Sequence, residues 1–357
     1  MNKSIITCLV TILATFVPAA SRADTVTYEM VTVGDAGNAA DTTGYGAVNY
    51  EYQIGKYDVT IGQYTAFLNA VARTDTYGLY HTSMATNLNI AGISRSGSPG
   101  TYTYSVMDNG GSSANRPITY VSWFDAARFA NWMQNGQGSG STETGAYTLV
   151  GGQTSGIAPA RNASATFWIP TENEWYKAAY YQPQASGGPS DSYWNYATKS
   201  DTAPGNTIGS TPNQINYYLN GSYAIGGSSY SFTQNYLTDV GAFTGSASFY
   251  GTFDQSGLVF QWNDLTGSTP GSDRGSRGGG IFSGASYVSS SHRYVSSASS
   301  SGVDCGFRLA GPSNATPVPE IDPAGMCSVM ALVSGFLALL ERRRKPALAK
   351  TSKGGNP

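Results

Sequence analysis

The stretch Phe167-Trp168-Ile169-Pro170-Thr171-Glu172-Asn173-Glu174-Trp175 decides the fold. Thr171 and Glu174 form a T-x-x-E capping box. The hydroxyl accepts from the N3 amide, and the carboxylate accepts from the cap amide. A helix is therefore predicted from Thr171 to about Tyr180. Beyond it, from 183 to 310, no long helical period recurs. Short aromatic runs alternate there with Gly/Ser/Asn turns, the pattern of irregular antiparallel hairpins.

Upstream, the pattern changes twice from strand to helix. Val26-Thr27-Tyr28-Glu29-Met30-Val31-Thr32-Val33 and Tyr52-Gln53-Ile54-Gly55-Lys56-Tyr57-Asp58-Val59 alternate polar and apolar residues, so they read as strands. Gly34-Asp35-Ala36-Gly37 reads as a turn. Thr60 then reads as an N-cap. Tyr64, Phe67, Leu68 and Val71 follow at helical spacing, giving a helix to about Arg73. Residues 74–115 are a polar Gly/Ser-rich loop with one hairpin around Thr101 to Val106. Ile118-Thr119-Tyr120-Val121 reads as a strand, and Ser122 caps a second helix with Trp123, Ala126, Ala127, Ala130, Trp132 and Met133 on its apolar face. A further strand is predicted at Tyr147 to Val150. These short helices set among hairpins indicate an α+β chain of low secondary-structure content.

Composition narrows the function. Charged residues make up 12% of the chain and the net charge is −2. No basic stripe exists, so nucleic acid is not an expected partner. The chain has 44 Gly and 25 Tyr, which suits a loop-rich extracellular fold, and its spread aromatics supply a core. Of the cysteines Cys8, Cys305 and Cys327, Cys305 alone lies between the two apolar termini, so no internal disulfide is expected there. The histidines are His81 and His292, too few for a Cys/His zinc site.

Both ends read as targeting segments. Residues 1–23 have a basic start, an apolar run from Ile5 to Ala19 and small residues at Ser21 and Ala23, the layout of a secretory signal peptide. Residues 24–313 are then the folded domain. Residues 314–345 combine a Pro-rich segment, an apolar run and Glu341-Arg342-Arg343-Arg344-Lys345. The span 324–340 is roughly 17 residues, at the short edge for one bilayer crossing. The basic cluster and the tail 346–357 should stay cytoplasmic. Val318-Pro319-Glu320, placed before that span, resembles a PEP-CTERM sorting signal. The resemblance implies an exosortase-type sorting protease as a partner. It also implies export to the cell envelope, surface or extracellular matrix, with C-terminal membrane anchoring at least transiently.

Six segments in order carry a second resemblance. They are Ile54-Gly55-Lys56-Tyr57-Asp58-Val59-Thr60, Arg116-Pro117 with Val121-Ser122-Trp123, Ile169-Pro170-Thr171-Glu172 with Glu174-Trp175, Gly257 through Trp262, Arg277-Gly278-Gly279-Gly280, and Gly306-Phe307-Arg308-Leu309-Ala310. Together they resemble the formylglycine-generating enzyme family, also called sulfatase-modifying factors. The resemblance implies a C-type-lectin-like α+β fold over nearly the whole region between the termini.

The same resemblance implies a chemistry and shows where it fails. Active members oxidise a substrate cysteine to formylglycine with molecular oxygen and bind copper(I) through two cysteines, soft ligands for a soft ion. Aligned on Gly278-Gly279, the matching positions here are Ser283 and Val288, and the serine after Gly-Gly is Gly280. Copper and formylglycine-generating activity are therefore not expected, and Cys305 reads as a buried apolar filler. Family members also hold calcium through oxygen ligands. Asp254 and Gln261, with the carbonyls of Gly257 and Val259, match one such site, with Gln261 in place of the usual acid. Asn216 and Tyr217 match part of a second, where an acidic ligand appears as Gly241. Glu172 and Glu174 read as structural, Trp123, Trp132, Trp175 and Trp262 as core, and Arg308 as paired to a buried carboxylate or carbonyl. The expectation is an exported binding or structural module whose Tyr/Trp-lined groove could hold a peptide or a glycan. The alternative is an oxidoreductase of the family with a non-standard site.

Overall fold

The computed structural model of this protein describes residues 25–313. The segments expected to be a signal peptide (1–23), a sorting signal (314–345) with its membrane span (324–340) and a cytoplasmic tail (346–357) lie outside the described residues. Among the described residues, no helix is long and apolar enough to cross a membrane.

The helices begin where local chemistry fixes them. Helix α1 (Ile61–Val71) starts on Thr60, whose side chain accepts from the Gln63 amide while Gln63 returns the bond to the cap. A short α2 (Ser83–Thr86) follows. Helix α3 (Trp123–Gln134) starts on Ser122 with Asp125 as the reciprocal partner. Helix α4 (Glu172–Tyr180) starts on the Thr171–Glu174 box read from the sequence. Each such cap is worth about 1 kcal/mol.

The strands are short. β1 (Met30–Val33) and β2 (Tyr52–Gly55) pair antiparallel, and β3 (Ile93–Ser96) with β4 (Thr103–Val106) makes a separate hairpin. β5 (Phe260–Asn263), β6 (Asp273–Arg277), β7 (Tyr294–Ser297) and β8 (Cys305–Gly306) form a four-stranded sheet in the order β7-β6-β5-β8. β5 and β8 run parallel and the other pairs antiparallel. β9 (Ala310–Pro312) returns to β2, so the last strand joins the first sheet.

Two predicted strands are absent. Around Ile118 the chain bonds to Val59, but Tyr120 turns into the left-handed region at φ 58° and ends any ladder. At Tyr147 to Val150 a side chain takes the place of a partner strand. Asn131 accepts from the Tyr147 amide and donates to the Tyr147 carbonyl. Val150 is 74% exposed and opens a single 3-10 turn.

The main core is aromatic. Phe67 of α1 meets Phe129 and Trp132 of α3 at ring distances of 5.4 Å, and Phe307 reaches Phe129 at 5.4 Å. Burying one such ring contributes up to about 3 kcal/mol. Trp123, Trp132, Trp175 and Trp262 are all buried, as expected of core residues.

Buried charge ties the layers. Arg308 is fully buried. Its Nε donates to Gln261 Oε1 (2.7 Å), Nη1 to the Gly55 carbonyl (2.8 Å) and Nη2 to the Phe253 carbonyl (2.7 Å). Its Nη2 lies 3.5 Å from Asp58, whose buried carboxylate accepts no hydrogen bond from the described residues. Arg274 Nε pairs with Asp264 at 2.7 Å, and Tyr147 donates to the same carboxylate.

Two outcomes follow for stability. Arg308→Ala should lower the unfolding free energy by about 3–5 kcal/mol, because it strands Asp58 without a counter-charge; denaturant titration reads this. Burial pushes Asp125 and Asp254 up to about 6 and Asp264 up to about 7. Between pH 4 and 7, roughly, the folded chain keeps protons that the unfolded chain releases. Their stabilising effect is full below the ordinary carboxylate range and is lost as pH rises through these folded values. Thermal midpoints should therefore fall from pH 4.5 to 7, and a rise across that window would contradict the assignment.

Candidate functional site

The site is built where β5, β6 and the Gly-Phe-Arg segment meet. Strand β6 ends on Arg277. Its Nε donates to Glu172 Oε1 (2.8 Å), and Nη1 donates to the carbonyls of Ser290 and His292. Arg293 grips both oxygens of Glu172 at 2.8 Å. Glu172 is thus the acid between two arginines, and Arg277 also lies over the Tyr45 and Tyr176 rings at 4.6 and 4.8 Å. Glu174, fully buried, accepts from the Tyr50 hydroxyl, the Trp168 indole and the Thr171 amide. Both acids are engaged by several donors.

After Arg277 the chain turns through Gly278 and Gly279, both at positive φ. A Cβ at Gly280 would stand 2.3 Å from Asp304 Oδ2, so that carboxylate fills the space of a side chain at this position. The Gly280 amide donates to Ser283 Oγ (3.0 Å), which makes the Ser283 hydroxyl the closure of a tight turn. Val288 is fully buried in a small apolar cluster with Ile215 and Tyr217. Cys305 stands in the main core, and burial pushes its thiol well above the ordinary range. A hard hydroxyl and an alkyl side chain do not fit a copper(I) thiolate site.

The residues matched to calcium ligands come together, with much of their bonding already spent. Gln261 Oε1 accepts from the Trp175 indole (2.7 Å) and from Arg308 Nε (2.7 Å), and its amide donates to the Asp254 carbonyl (2.7 Å). Neither Oε1 lone pair remains for an ion. Asp254 accepts from the Gly241 amide (2.7 Å) and sits in the field of Arg308, which pulls against the upward push of burial. Asn216 joins the same patch. Its carbonyl accepts from the Leu258 amide (2.7 Å), and a Cβ at Gly257 would stand 2.5 Å from that carbonyl. The Asn216 amide donates to the Tyr236 carbonyl and Thr238, and the Tyr217 hydroxyl donates to the Pro204 carbonyl. Oxygens that could still serve a hard cation are the Asp254 carboxylate and the carbonyls of Gly257 and Val259. Among the described residues, no group of three or more Asp, Glu, His or Cys side chains is placed to hold a metal.

Four residues here were not singled out by sequence reading for the roles they take. Asp304 fills the Gly280 position, and Arg293 completes the Glu172 pair. Asp58 faces Arg308. Tyr120, strained at φ 58°, stacks on His81 at 4.8 Å. The signal for the pairs was the low charge content. In a chain this poor in charge, each buried carboxylate calls for a nearby cation.

Residues 26–312 match the model of the sulfatase-modifying factor enzyme 1-like domain. Similar solved structures include Treponema denticola variable protein 1, 20% identical, with a TM-score of 0.47 over 81% of this chain and 97% of that one. CarF is 20% identical, with a TM-score of 0.47 over 80% of this chain and 98% of that one. PvdO from Pseudomonas aeruginosa is 16% identical, with a TM-score of 0.39 over 80% and 92%. No curated protein matches the chain. With the motifs assembled around Arg277 and Arg308, and with a family match over residues 26–312, the chain belongs to the sulfatase-modifying factor enzyme 1-like domain family and carries its C-type-lectin-like α+β fold.

Proposed function

We propose that this protein is an exported, surface-targeted member of the family that works as a binding module and makes no formylglycine. The observation that carries this reading is the donor set at 283 and 288. Ser283 closes a turn on Gly280, and Val288 is sealed in an apolar cluster. Cys305 is the sole cysteine among the described residues and stands in the core. One buried thiol with a raised pKa is a poor nucleophile and a poor soft-metal ligand.

A calcium ion would take Asp254 and the carbonyls of Gly257 and Val259, with Asn216 and Tyr217 beside them. Gln261 would have to release Trp175 or Arg308 to join, so affinity at this place would be low. The full-length protein, given copper(I), oxygen and a cysteine-containing sulfatase-motif peptide, should retain no copper after dialysis, consume no oxygen and form no aldehyde. Calcium should be retained weakly at most. Aldehyde formation would overturn this reading in favour of an oxidoreductase with a non-standard site.

Export rests on the terminal segments. The n-region and apolar run of 1–23 and the Pro-Glu, apolar and basic series of 314–345 support delivery to the envelope through an exosortase-type protease. In cells that carry such a protease, replacing Pro319 and Glu320 by alanine should shift the protein from the surface fraction to the inner-membrane fraction. An unchanged distribution would count against a sorting signal at this place.

A further inference from the structure

The segment from Thr202 to Thr238 contains no Asp, Glu, Lys, Arg or His, and neither does Gly278 to Ser291. The fold brings these two neutral stretches together. The Tyr218 amide donates to the Ser283 carbonyl (3.0 Å), and Phe282 lies 6.2 Å from both Tyr223 and Tyr236. Around that junction the rings form a continuous set. Tyr223 is 4.7 Å from Tyr218 and 4.4 Å from Tyr236, while Tyr230 is 5.8 Å from Tyr236 and 5.1 Å from Phe232.

This set is not a sealed core. Phe232 is 81% exposed and Tyr230 47% exposed, and Tyr218, Tyr223 and Phe282 are half-buried. An exposed apolar group of this kind marks a contact surface more often than an accident of packing. Backbone strain lies against the same set. Tyr120 and Leu258 both have positive φ; Leu258 belongs to the small core on which Tyr223 and Phe282 rest, and Tyr120 packs against that core beside them. Bulky residues held in that region cost roughly 1–3 kcal/mol each and cluster where a surface must keep a particular shape.

We propose that this face binds a neutral polysaccharide. The proposal rests on the reading of the protein as a binding module and names its ligand class. A sugar ring offers an apolar C–H face to an aromatic ring and hydroxyls to its rim, which suits amphipathic tyrosines. An uncharged polymer matches a surface whose two segments hold no charge. An anionic polymer would find no cation on them. A peptide added as a strand needs a sheet edge. These segments contain no strand of the three sheets, only the isolated bridges Gly205–Gln214, Leu219–Ser222 and Tyr223–Gly227.

The test is affinity electrophoresis of the full-length protein in gels containing galactomannan, hydroxyethyl-cellulose or pullulan, with alginate as the charged probe. At least one neutral gel should retard the protein, with little change on adding salt. Phe232→Ala should weaken that retardation about tenfold. This ring is exposed, so its loss should leave the thermal midpoint in place. The pair Tyr230→Ala with Phe232→Ala should abolish retardation, while Tyr294→Ala, on β7 outside the set, should leave it intact. No retardation in any neutral gel overturns the proposal, as does retardation by alginate alone. So does equal retardation of wild type and Phe232→Ala. Self-association that Phe232→Ala abolishes would instead assign the face to a second copy of the chain and also overturn it. Aldehyde formation in the peptide assay would sink the non-oxidase reading and leave these gel outcomes standing, so the two failures are distinguishable.

Discussion

The buried guanidinium of Arg308 fastens the end of β2, the loop before β5 and β5 itself at a single point. It reaches the end of β2 through Gly55, the loop before β5 through Phe253, and β5 itself through Gln261. Asp58 supplies the counter-charge from 3.5 Å. An unpaired cation at such depth costs several kcal/mol, so each partner has to be in place before the residue can be buried at all. Arg308 thereby ties the register of β2 to the placement of β5 in the other sheet. It also decides the character of the neighbouring oxygen cluster. A fixed positive charge already stands beside Asp254 and Gln261.

A second set of arginines does similar work at the Gly-rich turn. Arg277 and Arg293 converge on Glu172, and the turn that follows Arg277 packs without room for side chains. Asp304 fills the place over Gly280, and the Ser283 hydroxyl closes the turn. The turn is thus filled by packing and by hydrogen bonds within the protein.

The sequence was most legible where structure is local. Thr60, Ser122 and Thr171 begin helices because a side chain can satisfy an amide a few residues away, and that chemistry needs no distant partner. The family motifs were legible for another reason, since their order along the chain encodes which segments meet. Strands were the weak point. Ile118 to Val121 has the right alternation, yet Tyr120 stands at positive φ, with its hydroxyl bonded to Asn87 and its ring stacked on His81. Tyr147 to Leu149 is buried as a strand would be, but Asn131 replaces the partner. Both outcomes depend on residues far away in sequence. The ligand positions were found by motif, while their bonding could not be. Nothing in Asp254 to Trp262 alone reveals that Gln261 is claimed by Trp175 and Arg308.

The placement of β1 and β9 on either side of β2 has a mechanical meaning. Both run antiparallel to β2, so they are parallel to each other. Met30 sits opposite Gly55 at one end of the sheet, and Pro312 sits opposite Tyr52 at the other. Tension drawn between the two ends of the domain runs along the strands and loads their hydrogen bonds together in shear, instead of peeling them one by one. A pull applied to both ends of the domain would therefore be resisted by all the bonds of this small sheet at once.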